Sequence, residues 1–152
     1  AAAHARAVLD APGATGIQRA EAHELLARVA FGRRAFEDAR TEAALAEGED
    51  PARPVVALID GRIAMDQADW AGASAALTRA LTATQAAGRA PLTDVRVFAA
   101  EALMKLGRRD EAEALLTAEL KVFPANPRAR SVLQSLYRAT GRMSDASALA
   151  PH

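Results

Sequence analysis

Apolar residues recur along this chain at spacings of three and four, the pattern of one buried face of an α-helix. In the segment 17–31 the apolar face is formed by Ala22, Leu25, Leu26 and Val29. Short polar or Gly- and Pro-containing stretches separate this run from similar runs along the chain. The pattern predicts helices at 1–9, 17–31, 35–47, 55–65, 69–87, 94–106, 108–123, 127–140 and 143–150.

Several predicted helix ends carry capping residues. Thr15 and Gln18 have the spacing of a capping box, and Asn126 precedes a proline at the first helical position. Thr93 is expected to cap the helix at 94–106. Gly48 is expected to end the third helix in a left-handed conformation, because glycine adopts that conformation without strain.

Small residues repeat at a fixed interval along the chain. Ala39 and Ala73 are 34 residues apart, as are Ala112 and Ala146, and each lies early in the second helix of a predicted pair. The step from Ala73 to Ala112 is 39 residues, so five extra residues lie between Leu81 and the next pair. We expect this insertion to lengthen the helix at 69–87 by more than one turn. A 34-residue period of two helices is typical of one class of repeat protein.

The chain resembles the tetratricopeptide repeat family over roughly residues 20–152. The family pattern places a small residue in the first helix of each repeat, and an aromatic residue shortly before the alanine of the second helix. Departures include Arg34, where the family has a turn glycine. The residues that fit these two positions are Ala27, Gly61 and Ala100, then Phe36 and Trp70.

The resemblance implies an all-α fold, a right-handed α-solenoid of antiparallel helix pairs. A single helix pair cannot cover both of its apolar faces, so neighbouring pairs stack into one continuous domain. We therefore predict one domain spanning 1–152. It divides into a partial repeat 1–19, repeats 20–53, 54–92 (with the insertion) and 93–126, and a truncated repeat 127–152.

The resemblance also implies a groove on the concave side, formed by the first helices. The peptide-binding groove predicted from the 34-residue register comprises Arg28, Phe31, Leu58, Arg62, Met65, Val97, Glu101, Met104 and Arg138. The same register also projects Glu21, Glu24, Val55, Asp94, Arg128, Ser131 and Ser135 onto this face. Methionine adapts to irregular apolar partners and arginine donates directed hydrogen bonds to carboxylates. The groove would thus accept an extended or helical segment with apolar anchors and some acidic character. The alternative is that the apolar members pack between neighbouring first helices.

Composition narrows the classes of partner. Charged residues make up 25% of the 152 residues and the formal net charge is zero, which does not favour nucleic acid or an anionic membrane as a partner. The chain has no cysteine, so it can form no disulfide. It contains no apolar run of about 18 residues, the length needed to cross a bilayer. It lacks an initiating methionine and a signal peptide, and we expect it to be a segment of a longer chain.

Candidate catalytic and metal-binding residues are few. His23 with Glu21 and Glu24 could hold a metal, but such a cluster is also common on an ordinary helix surface. Ser131 and Ser135 have no histidine near them in the sequence, so nucleophilic catalysis has no support. The sequence therefore predicts no enzyme activity, no metal and no cofactor.

Two functions are compatible with these features. The first is a non-catalytic scaffold that binds a peptide or partner protein in the concave groove. The alternative is the C-terminal assembly module of a larger bacterial hydrolase, similar to the repeat arrays that follow sulfatases, with the catalytic domain outside this chain. Self-association through the terminal helices is also expected, because the last predicted helix is short. The residues expected to be under-covered at that end are Leu133, Leu136, Tyr137 and Leu149.

Overall fold

The computed structural model describes residues 1–150, and these residues form nine α-helices and no β-strand. The predicted fold class, an all-α solenoid of antiparallel helix pairs, is confirmed. The helices are α1 (Ala2–Asp10), α2 (Gly16–Gly32), α3 (Phe36–Glu49), α4 (Val55–Asp66), α5 (Trp70–Ala86), α6 (Val95–Lys105), α7 (Arg109–Val122), α8 (Pro127–Ala139) and α9 (Met143–Ala148).

Each helix packs against the next one in the chain, as expected for stacked helix pairs. In addition, α2 contacts α4, α4 contacts α6 and α6 contacts α8. Within residues 1–150, the second helices α3, α5 and α7 make no such contacts with one another. The first helices of successive pairs therefore lie closer to one another than the second helices do, which places the first helices on the inner side of the stack. The repeat boundaries proposed above remain a prediction.

The pairs pack closely because small side chains lie where the helices meet. Ala39, Ala73, Ala112 and Ala146 are all buried, each at the same position in α3, α5, α7 and α9. Larger apolar residues fill the space around them, with Leu116 fully buried in the cluster that joins α6, α7 and α8. Alanine permits this approach without a loss of side-chain entropy.

The turns inside the helix pairs share one backbone conformation. Arg34, Ala68, Gly107 and Gly141 have φ values of 61, 58, 77 and 75°, all in the left-handed region. Their spacings are 34, 39 and 34 residues, the same as those of the buried alanines. The turn therefore requires a left-handed residue in every repeat, and two of the four repeats supply it without glycine.

We expect Ala68→Gly to stabilise the protein by about 0.5 kcal/mol. Glycine removes the steric cost of the left-handed conformation, roughly 1 kcal/mol, and the greater entropy of the unfolded chain offsets part of the gain. The opposite change at the equivalent turn, Gly107→Ala, should cost about 1 kcal/mol for the same reason. Urea denaturation of the two variants measures both effects. A loss of stability in Ala68→Gly would contradict this interpretation of the turn.

The insertion lengthens α5 less than predicted. This helix has 17 residues, compared with 14 in α3 and in α7. The gain of three residues is less than one turn of 3.6, so the expected lengthening of more than a turn is wrong. The other inserted residues extend the segment between α5 and α6, which includes Gly88 with a φ of 62°.

The sequence predicted four under-covered residues at the C-terminal end, and this prediction is wrong for two of them. Leu133 and Leu136 are only 3% and 2% exposed, because α9 packs against α8 and closes the cluster around them. Tyr137 and Leu149 are partly buried against the same cluster. Self-association remains a prediction, and the last two residues of the truncated repeat, Pro151 and His152, lie outside the described residues. No helix between residues 1 and 150 is long and apolar enough to cross a membrane.

Candidate functional site

A cavity of about 700 Å³ opens on the inner side of the solenoid. Its walls come from α2, α4, α6 and α8, the four first helices, and from the inserted segment before α6. Four of the predicted groove residues line it, namely Arg28, Phe31, Leu58 and Arg62. The cavity also contains Phe98 and Arg128.

Aromatic rings and guanidinium groups alternate across this cavity. The Cζ atom of Arg62 lies 4.9 Å from the ring centre of Phe31 and 4.0 Å from that of Phe98. The Cζ atom of Arg128 lies 4.4 Å from the same Phe98 ring. Each of α2, α4, α6 and α8 contributes one member of this row, which we call the Arg–Phe column (Phe31, Arg62, Phe98 and Arg128). Cation–π contacts of this kind contribute about 0.5–2 kcal/mol each.

The acidic side chains of the cavity are already engaged by other residues. Glu24 accepts a hydrogen bond from Arg53, which also contacts Glu21 at 3.2 Å. Asp94 accepts a hydrogen bond of 2.8 Å from the Asn126 side-chain amide. Glu24 is therefore paired with an arginine outside the cavity wall, whereas the charges of Asp94 and Glu101 still favour the charged form of Arg62.

The arginines of the cavity differ in their partners. Arg128 donates to both carboxylate oxygens of Glu101, at 3.1 and 3.2 Å. Among residues 1–150, no carboxylate lies within ion-pair distance of Arg28 or Arg62. Burial lowers the pKa of the Arg62 guanidinium, and the charges of Arg128 and Arg28 lower it further. The cavity thus holds an excess of positive charge around a partly buried guanidinium.

The inserted segment forms one wall of the cavity with Leu92, Thr93 and Asp94. Two buried carboxylates fix this segment. Asp50 accepts hydrogen bonds of 2.9 and 3.0 Å from Arg89, and Glu119 accepts one of 2.9 Å from the backbone N–H of Asp94. The extra residues therefore build part of the site.

Five predicted groove residues do not line the cavity. Val97 is fully buried with Leu116 and Leu133 in the cluster between α6, α7 and α8, so its placement in the groove is wrong. Met65 and Met104 are partly buried and pack against core clusters. The remaining two are Glu101, which pairs with Arg128 beside the cavity, and Arg138, which is exposed near the end of α8.

We expect Met65→Ser and Met104→Ser to reduce stability by about 1 kcal/mol each, because each removes a partly buried side chain from a core cluster. Neither variant should change binding of a segment in the cavity. Thermal denaturation measures the loss of stability, and titration with a peptide that binds in the cavity measures the affinity. Weakened binding with unchanged stability would place the methionines in the groove.

The possible metal site at His23 is not assembled. His23 Nδ1 lies 2.7 Å from Glu42 Oε2, whereas Glu21 and Glu24 both contact Arg53. No group of three metal-ligand side chains lies together within residues 1–150. His23 is instead part of the contact between α2 and α3.

Phe98 lines the cavity, although the sequence register did not project it onto the inner side. The register places its neighbour Val97 in the groove, and the structure shows the reverse. The smaller valine fits the core beside Ala100 and Ala112, while the larger ring of Phe98 lies in the cavity. The signal in the sequence was the size difference between these two adjacent apolar residues.

No protein-family model and no curated protein matches the sequence. Among solved structures, the chain is similar to a mutant of MamA, with a TM-score of 0.62 and 19% sequence identity. The match covers 97% of this chain and 88% of that one. MamA is a helical solenoid of the tetratricopeptide type, so the similarity supports a tetratricopeptide-like fold.

Proposed function

We propose that this chain is a non-catalytic protein-interaction scaffold, which binds a peptide or a segment of a partner protein in the groove formed by the first helices. The observation that carries the proposal is the open cavity of about 700 Å³ that crosses α2, α4, α6 and α8. Its wall combines the apolar Leu58 with the Arg–Phe column. Ligand-binding sites combine apolar walls with a few directed polar groups, and peptide segments are recognised by apolar grooves and by clusters of arginines.

The shape of the site also favours a chain-like ligand. One member of the Arg–Phe column comes from each of four successive helices, so the row follows the length of the stack. An extended segment can contact each of these positions in turn. Repeat solenoids use their inner surface in this way because curvature gives a long continuous binding face.

Selection of peptides from a random display library tests this proposal. We expect the wild-type protein to enrich peptides whose binding weakens at least about tenfold in Leu58→Gln, since a leucine in a binding pocket contributes about 1.4 kcal/mol or more. Leu45→Gln is the matched control, because Leu45 is exposed on α3, away from the cavity. Thermal denaturation should show that both variants are folded.

Failure to enrich any peptide, or equal loss of binding in the Leu45 and Leu58 variants, would contradict the scaffold proposal. Enriched peptides without acidic residues would leave it intact. The composition of the peptides therefore tests a separate question, considered in the next section.

The alternative, an assembly module of a larger bacterial hydrolase, stays a prediction. It concerns residues outside this chain, and the sequence of the complete parent gene tests it. A hydrolase domain upstream of this segment would support that alternative, and its absence would leave the scaffold as an independent unit.

A further inference from the structure

The Arg–Phe column brings two arginines onto one aromatic ring. Arg62 and Arg128 lie 4.0 and 4.4 Å from the Phe98 ring centre, and Arg28 lines the same cavity. Like charges at this proximity repel one another, and the effect is stronger where water is partly excluded. The arrangement is stabilised by the aromatic faces, but the positive charge of Arg62 has no carboxylate partner among residues 1–150.

The N–H donors of Arg62 remain available to a ligand. The rings of Phe31 and Phe98 offer no hydrogen-bond acceptor of the ordinary kind to the guanidinium, although their centres lie 4.9 and 4.0 Å from Arg62 Cζ, and the five N–H donors of an arginine lie in the guanidinium plane. Every buried polar side-chain atom within residues 1–150 has a hydrogen-bond partner. The unpartnered donors of Arg62 are thus accessible from the cavity. A carboxylate approaching in that plane would form two parallel hydrogen bonds.

Glu101 shows what kind of group fits this site. Both of its carboxylate oxygens accept hydrogen bonds from Arg128 at 3.1 and 3.2 Å, from the edge of the cavity. The Arg128 side chain is 45% exposed, so a second carboxylate can reach it. The Glu101 side chain is 27% exposed, and a pair that is open to water on this scale contributes only about 1 kcal/mol, so a ligand carboxylate can compete with Glu101 for Arg128.

We infer that the groove recognises two neighbouring side-chain carboxylates of its partner segment, one held by Arg62 and one by Arg128, with Arg28 adding positive charge at the same cavity. This inference rests on the proposed function and specifies the chemistry of the partner. Glu101 acts as an internal competitor for the second carboxylate. Removing its charge should therefore strengthen binding, the opposite of the effect of removing an arginine.

The test uses a short peptide of glutamate pairs separated by leucines, blocked at both ends so that only side-chain carboxylates are available. The same peptide with glutamine in place of glutamate is the comparison. A third peptide keeps the glutamines and has a free C-terminal carboxylate, and a fourth carries phosphoserine pairs. Isothermal titration calorimetry at low salt gives the dissociation constants, since surface electrostatics weaken as ionic strength rises.

We expect the glutamate peptide to bind at least about tenfold more tightly than the glutamine peptide, with or without the free C-terminus. Arg62→Gln should remove most of that difference, and Glu101→Gln should increase the affinity for the glutamate peptide about threefold. Arg79→Gln, an equal change in net charge on the exposed surface of α5, should change affinity less than about twofold. Arg28→Gln gives an independent variant that loses no buried contact, because Arg28 is exposed.

Several outcomes would overturn the inference. They are equal binding of the glutamate and glutamine peptides, no binding of either at about 1 mM, equal weakening by Arg62→Gln and Arg79→Gln, or weaker binding in Glu101→Gln. Tighter binding of the phosphoserine peptide or of the free C-terminus than of the glutamate peptide would assign the site to those groups. Peptides from the display experiment that require Leu58 but carry no acid would leave the scaffold function in place and overturn only this inference.

Discussion

Replacing Glu119 with alanine is expected to destabilise the protein by about 3–5 kcal/mol. The substitution removes the acceptor of a buried hydrogen-bond network and leaves the donors of that network without a partner. The Glu119 side chain has 0% exposure. It accepts hydrogen bonds from the Asp94 backbone N–H at 2.9 Å and from the Asn126 amide at 3.0 Å, and Arg96 lies 3.4 Å away. One residue of α7 thereby joins the start of α6 to the cap of α8.

Two variants separate this network from the general effect of losing a glutamate. Glu119→Gln keeps an oxygen acceptor but lacks the charge that faces Arg96, and should cost about 1–2 kcal/mol. Glu111→Ala removes an exposed glutamate of the same helix, which among residues 1–150 pairs with Arg108 alone, and it should cost much less stability than Glu119→Ala. Urea denaturation followed by circular dichroism measures all three. A cost below about 1 kcal/mol for Glu119→Ala would show that the network does not stabilise this end of the solenoid.

Gly61→Ala is the second substitution with a large expected effect, a loss of about 2–3 kcal/mol. A Cβ atom at position 61 would lie 2.6 Å from Leu77 Cγ and 2.8 Å from its Cδ2. Leu77 is fully buried in the cluster that joins α5 and α6, so it has no open space into which it can move. Glycine is thus required here by the close approach of α4 and α5.

Gly48→Ala is the matched control for this prediction. Gly48 lies within α3, is exposed, and has no neighbouring atom within 4 Å of the position that a Cβ would occupy. The same chemical change should therefore stabilise the protein by about 0.5–1 kcal/mol, the difference in helix propensity between alanine and glycine. Thermal denaturation of both variants shows whether the melting temperature falls in Gly61→Ala and rises in Gly48→Ala. Changes in melting temperature of the same sign would contradict the packing described for α4 and α5.

The spacing of small residues made the fold predictable from the sequence. Ala39, Ala73, Ala112 and Ala146 are buried at equivalent positions because each pair of helices must cross closely there, and this requirement repeats in every pair. The capping box at Thr15 was likewise predictable, since it is a local interaction between residues three apart, and it is present. Local and periodic requirements leave a signal in the sequence.

Two helix ends were predicted wrongly, and at one of them the conformation depends on a distant residue. Gly48 does not end α3 in a left-handed conformation; the helix continues to Glu49, and Asp50 follows with a φ of -140° and a ψ of 89°. Thr93 does not cap α6. Asp94 occupies that position with a φ of 68°, and its backbone N–H is bound by Glu119, 25 residues further along the chain. No local rule could reveal this tertiary contact.

The groove was predictable in part for the same reason. The register projects Arg28 and Arg62 onto the inner side, and both line the cavity there, because position in the repeat determines which face of a first helix is inward. It placed Val97 rather than Phe98 on the inner side, because the register uses position alone and takes no account of side-chain size. The choice depends on the volume available beside Ala112 in the core.

Backbone amide and side-chain NMR shifts, recorded while the glutamate peptide is titrated in, test the groove proposal most directly. The chain of 15.9 kDa is small enough for complete assignment. We predict that the largest changes fall on Arg28, Phe31, Leu58, Arg62 and Phe98, which lie together in the cavity. Shifts confined to the outer helices α3, α5 and α7, or to the two ends of the stack, would contradict the assignment of the inner groove as the binding site.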